Sequence, residues 1–199
     1  MDKARVESFS DGVFAFAITL LVLGVQVPEI KSGSDIELRA ALIHSITQLL
    51  PYITSFGTIG IIWLNHHSMF HSVRKVEHTT LTLNLLLLLV VSFIPYPTSV
   101  LGRYGALPSS AFLYGAVLSL LGISYSLLWM HIVRRELSSV CTDKTENNRK
   151  IRRNLLGTLV YPAATVVSLR YPRVSLVIYF AVAAFYLFPT KRQPGIQEP

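Results

Sequence analysis

Charged side chains are scarce, at 15% of 199 residues, where a soluble domain usually carries about 25%. Together with 51% hydrophobic residues and a mean hydropathy of +0.48, that shortage excludes an ordinary water-soluble domain. Cysteine is almost missing: the single Cys141 rules out an intrachain disulfide. No small-x-small cleavage site follows the first apolar run, where the chain reads "GVQVPEI", so the N-terminal segment is expected to be retained rather than removed as a signal. The motifs of familiar enzymes are absent as well. There is no Gly-x-Ser-x-Gly elbow, no His-Glu-x-x-His, no phosphate-cradling Gly-rich loop and no Cys pair. The Thr-Val-Gly-Tyr-Gly filter loop is also lacking.

What is present is a series of apolar stretches, each near the ~20 residues that span a bilayer core. They predict an all-α membrane protein of six transmembrane helices with no P-loop-type filter, folded as one domain over residues 1–199. The spans are expected from about Phe9 to Val27, Arg39 to Leu64, Thr80 through "LNLLLLLVVSFIPYP", Ser109 to Ile132, Leu155 to Leu169, and Val174 to Phe188. Pro51 should kink the second; Pro95 and Pro97 should bend or end the third, with "YPTS" read as a helix end. "GTIGII" in the second suggests close helix packing through small residues. "RYPR" makes a tight hairpin of the last two, and "SSVCTDKTENNRKIRR" reads as an exposed linker. The net charge of +7 could suit nucleic acid, but the basic residues lie between apolar segments, as orienting charge does. Thirteen of the 18 Lys and Arg fall on the side that holds both termini. The positive-inside rule therefore puts both termini in the cytoplasm.

The first span has an ordered surface. At 100° per residue, Phe16, Leu20, Leu23 and Thr19 share one face with Gly12, while Asp11 lies about 140° away from Phe16. Apolar spacing of this kind is usually ordinary packing against helices or lipid, and a pore lining is its rarer use. Asp11 at the membrane threshold calls for a partner or water; capping of the helix start is the plainer role. By depth, Trp63, Asn65, His66 and His67 from "WLNHHSMFH", and Arg5 on the same helix, are candidate partners in an inner-leaflet polar network.

Two rival chemistries arise from these residues. His66, His67, His71 and His78, with His44 and His131, invite a membrane metalloenzyme, but such sites need clusters converging from several segments, so no metal site is assigned. A secondary transporter or proton-coupled exchanger could use Asp11; repeats and mid-membrane helix breaks would support it, and only Pro51 and Pro95 do so.

Arg5, three further residues and Phe9-Ser10-Asp11 match the Arg-x-x-x-Phe-Ser-Asp signature of the transmembrane protein 175 family, which comprises the endosomal and lysosomal potassium channel of animals and its shorter prokaryotic relatives. The run Ala-x-Ala-Ile-Thr-Leu-Leu-Val-Leu that follows, and the His66-His67 cluster, are also similar. The resemblance implies a non-enzymatic, modestly potassium-selective channel of the cell membrane. It further implies a prokaryotic single-repeat homotetramer with no cofactor beyond the permeant ion. In that family the first helices of four subunits line the pore. Phe16 then takes the narrowest position, where an aliphatic residue is usual; Leu20 and Leu23 match further constrictions, and Thr19 matches a residue linked to selectivity. Arg5, Asp11, Trp63 and the histidines match the family's inner polar network. A ring of apolar side chains narrow enough to dewet closes such a pore without a charged gate.

Overall fold

The computed structural model describes residues 2–31, 33–135, 137 and 158–187, and their regular structure is helical. Helix α1 runs over Lys3–Leu20 and tightens into a 3-10 turn over Leu21–Gly24. Then follow α2 Asp35–Ser72, α3 His78–Phe93, α4 Pro95–Tyr104 and α5 Pro108–Arg134. The series ends with α6 Thr158–Ser168 and α7 Pro172–Leu187. Among the described residues, three spans are long and apolar enough to cross a membrane: Lys3–Gly24, His78–Tyr104 and Pro108–Arg134. A fourth arises if the bent α2 counts as one crossing. At ~1.5 Å per residue the shortest of the three reaches about 33 Å, enough for the ~30 Å hydrocarbon core. The linker around Cys141, the start of the fifth expected span and the end of the sixth lie outside the described residues.

Local chemistry sets the helix ends. Asp2 caps α1 by accepting from the Ala4 amide at 3.2 Å, and Ser34 caps α2 by accepting from Glu37 N at 3.3 Å. Both α4 and α5 open on proline, which suits a first turn because its missing N–H has no partner there anyway. In α2 the axis turns by 46° between Ile43 and Gln48, just ahead of Pro51. The pyrrolidine ring crowds the carbonyl four residues back and removes its hydrogen bond, so the bend falls on the N-terminal side of the proline.

The third expected span needs one correction. "YPTS" does not end it: Tyr96, Pro97, Thr98 and Ser99 belong to α4, which carries the crossing on to Tyr104. Proline breaks the ladder, yet each following hydroxyl turns back on its own helix. Thr98 Oγ1 donates to Ile94 O at 2.8 Å and Ser99 Oγ to Pro95 O at 2.9 Å. The break becomes a joint rather than a stop.

Helices α2 and α5 carry most of the packing, α5 on α3, α4 and α7, and α2 on α1, α4 and α7. Helix α1 lies against α2 and α3 at the flank. In a bilayer, packing replaces the hydrophobic drive between helices, so small residues let backbones approach. That closeness occurs at Gly115, where any added Cβ would strike the Tyr179 hydroxyl and Thr165 Oγ1. It occurs again at Gly24, which meets Ser99 Oγ of α4. It does not occur at Gly60 of "GTIGII", which has open space beside it, although Thr58 and Ile59 next to it are buried. Hydroxyls knit the layers: Ser55 Oγ lies 2.7 Å from Thr98 Oγ1 and 2.9 Å from Tyr114 Oη.

Candidate functional site

Helix α1 has two unlike faces. Val6, Ser10, Phe14 and Ala17, continued by Leu21 in the 3-10 turn, are buried against α2 and α3. On the other side Phe9, Gly12, Phe16, Thr19 and Leu23 are exposed, Phe16 at 65% and Leu23 at 76%. Leu20 is half-buried. A 3-10 turn advances about 120° per residue, so Leu23 drifts from the line of Phe16 toward that of Leu20, a departure from the uniform wheel. The exposed side opens on a groove of about 510 Å³, lined by Phe9, Gly12, Phe16 and Leu20 with Ser92 of α3. Thr19 Oγ1 donates to Phe16 O at 2.9 Å. Its proton is thereby spent within the helix, and its lone pairs face outward.

The buried face is held by a directed chain of hydrogen bonds. Ser10 Oγ donates to Val6 O at 2.8 Å, so its oxygen is free to accept from Asn84 Nδ2 at 3.0 Å. Asn84 Oδ1 is then an acceptor, and His66 Nε2, 2.8 Å away, is the donor. His66 is wedged between aromatic rings, 4.4 Å from Phe70 and 5.3 Å from Phe14 between centroids. Three helices thus meet on one buried path: α1 through Ser10, α3 through Asn84, α2 through His66.

Half-buried Asp11 sits beside that path and accepts from Trp63 Nε1 at 2.8 Å. The other candidate partners stand apart. His67 is exposed, with its ring 6.0 Å from the Trp63 indole. Asn65 lines a separate cleft between α2, α5, α6 and α7. Arg5 is exposed and takes part in no ion pair among the described residues; six residues before Asp11, it points about 120° away. Asn84 escaped the reading of the sequence, although a lone amide in "LNLLLLLVV" is itself a signal, since a polar group in hydrocarbon needs a partner. Among the described residues no three His, Cys, Asp or Glu side chains gather as a metal site; the His44 side chain lies outside them.

The sequence model of the endosomal/lysosomal potassium channel TMEM175 matches residues 5–95, the stretch that holds α1, α2 and α3. A potassium channel of Streptomyces collinus is 35% identical over 192 residues, covering 94% of this chain and 92% of its own. The chain belongs to the TMEM175 family. Its fold agrees: a crystal structure of a lysosomal potassium-selective channel TMEM175 homolog from Chamaesiphon minutus superposes with a TM-score of 0.83 at 32% identity, covering 93% of this chain and 96% of that one. The mouse endosomal/lysosomal proton channel TMEM175 is 41% identical over 101 residues, 48% of this chain and 20% of the mouse protein. These TMEM175 relatives are ion channels, not enzymes, and this chain is a membrane protein like them.

Proposed function

We propose that this chain is the subunit of a potassium-permeable, modestly potassium-selective channel, a homotetramer in which four copies of α1 line the pore. Phe16, Leu20 and Leu23 form hydrophobic rings that serve as constriction and gate, and Thr19 supplies oxygens to the permeant ion. One observation carries the reading: the rest of the chain buries the Ser10 face of α1 and leaves Phe16, Thr19 and Leu23 uncovered. Asp11, bound to Trp63, is turned away from that face. The outward lone pairs of Thr19 favour its role as an ion ligand, because its proton is already donated to Phe16 O. A phenyl ring at the narrow point would dewet as an aliphatic one does.

The wider frame of the proposal is a single domain of residues 1–199 with six crossings: α1, α2, the α3–α4 pair, α5, α6 and α7. Both termini face the cytoplasm, in line with the bias of Lys and Arg, in the cell membrane of a prokaryote. The names of the relatives support the choice of ion. Purified protein in planar bilayers under a potassium/sodium gradient tests it. The expected result is unitary currents that reverse toward the potassium potential and that rise several-fold in Phe16→Ala or Leu23→Ala. Flux coupled to a proton gradient without unitary currents would instead make Asp11 the site of an exchanger.

A further inference from the structure

At the end of the bundle where α3 begins and α5 ends, two loops are stapled together. The Arg74 amide donates to Leu137 O at 2.8 Å, and Leu137 N returns to Ile132 O at 3.1 Å; Val73 and Leu137 are buried beneath. The staple joins Arg74 and Lys75, after α2, to Arg134 and Arg135, at the end of α5. All four are exposed, and neither ion pair among the described residues uses them: Arg39 pairs with Asp35, and Lys3 with Glu7 beside the end of α2, where Lys3 Nζ also donates to His71 O at 3.1 Å. Glu77 is the acid on this turn, and Glu136 the one beside Arg135 in the sequence, so the rim remains cationic. Helix α3 starts here without a side-chain cap, and Thr80 in its first turn is fully buried with its hydroxyl unpartnered. Orienting charge requires only that cations lie on one side of the membrane. It does not require two loops to be bonded into one rim.

Below Arg134 the surface of α5 supplies the second half of a recognition site. Leu120, Ile123, Leu127 and Met130 are all exposed, and their 3-4-3 spacing continues four residues on to Arg134, a single helix face. Ten residues of rise make this stripe about 15 Å long, one leaflet of a ~30 Å core. A free phosphate would use the rim alone, whereas a phospholipid uses both parts. We infer that the rim and stripe bind an anionic phospholipid, its phosphate headgroup among Arg74, Lys75, Arg134 and Arg135 and an acyl chain along Leu120–Met130 of α5. Guanidinium forks suit phosphate oxygens, and the α3 N-terminus adds backbone N–H groups of the same sign.

Native mass spectrometry of the full-length protein with dioleoylphosphatidylglycerol or dioleoylphosphatidylcholine tests this without any measurement of ion flow, so it stands or falls apart from the channel reading. Phosphatidylglycerol is expected to bind about tenfold tighter than phosphatidylcholine, and R74Q/K75Q or R134Q/R135Q to weaken it by about fivefold or more. K31Q/R39Q at the opposite end should leave it unchanged. If a double variant fails to elute as the folded species, the single Arg134→Gln must still weaken binding at least about twofold. Equal retention of the two lipids, or phosphatidylglycerol binding that survives both double variants, would overturn the assignment. Displacement by millimolar inorganic phosphate would do so too, by marking a phosphate site that ignores the acyl chain.

Discussion

Ser10 and Asp11 are neighbours in a signature yet do different physical work. Ser10 is wholly buried and passes a hydrogen bond between Val6 O and Asn84 Nδ2; Asp11 takes the Trp63 N–H from a half-exposed position. Ser10→Ala leaves the Asn84 amide without its acceptor, an unmet buried donor worth about 1–3 kcal/mol. Thermal unfolding in detergent should report that loss as a Tm lower by several degrees. Asp11→Asn keeps an acceptor oxygen facing the indole and gives up only the charge assistance, while Trp63→Phe removes the donor altogether. Trp63→Phe is therefore expected to destabilise by ~1–2 kcal/mol and Asp11→Asn by less; the reverse order would mean that the carboxylate serves another partner. Asn84 and His66 complete a path that no local pattern could define, because its members come from three helices.

Among the elements, the α3–α4 joint and the α5–α7 contact decide how the helices meet. Prolines 95 and 97 suggest a terminus when read along the chain, but Ile94 N closes on Val91 O and Thr98 N on Ile94 O, each at 3.2 Å, and a second helix starts within one residue of the first. The Gly115 contact with Tyr179 allows no side chain. Gly115→Ala is expected to cost ~1–3 kcal/mol by overpacking. Tyr179→Phe in the same chain should recover part of it, since the hydroxyl is the nearest colliding group. A double-mutant cycle on unfolding in detergent measures that coupling directly. The kink ahead of Pro51 was legible from residue type alone, because a missing N–H acts wherever the helix sits.

Across the whole molecule, burial is uneven. In their apolar stretches 28% of the α1 crossing and 56% of the α5 crossing are buried, so α5 lies deeper in the bundle and α1 at its flank. An apolar flank helix can face lipid or sister subunits, and a cross-link separates the two. With Cys141→Ser as background, Leu23→Cys is expected to give disulfide-linked subunits under mild oxidation. Leu89→Cys, exposed at 65% on α3, should stay monomeric on denaturing gels. Failure of Leu23→Cys to link would remove α1 from the centre of the assembly.

Three of the expected crossings and the two-faced character of α1 were open to a reader of the sequence. Each rests on a one-dimensional quantity: length of apolar run, residues per turn. Tertiary structure alone decided that Trp63 rather than Arg5 meets Asp11, that Asn84 bridges Ser10 to His66, and that the loops at Arg74 and Leu137 form one rim. Hydrogen bonds need partners within about 3 Å, and which side chains come that close depends on how helices far apart in sequence are turned toward one another.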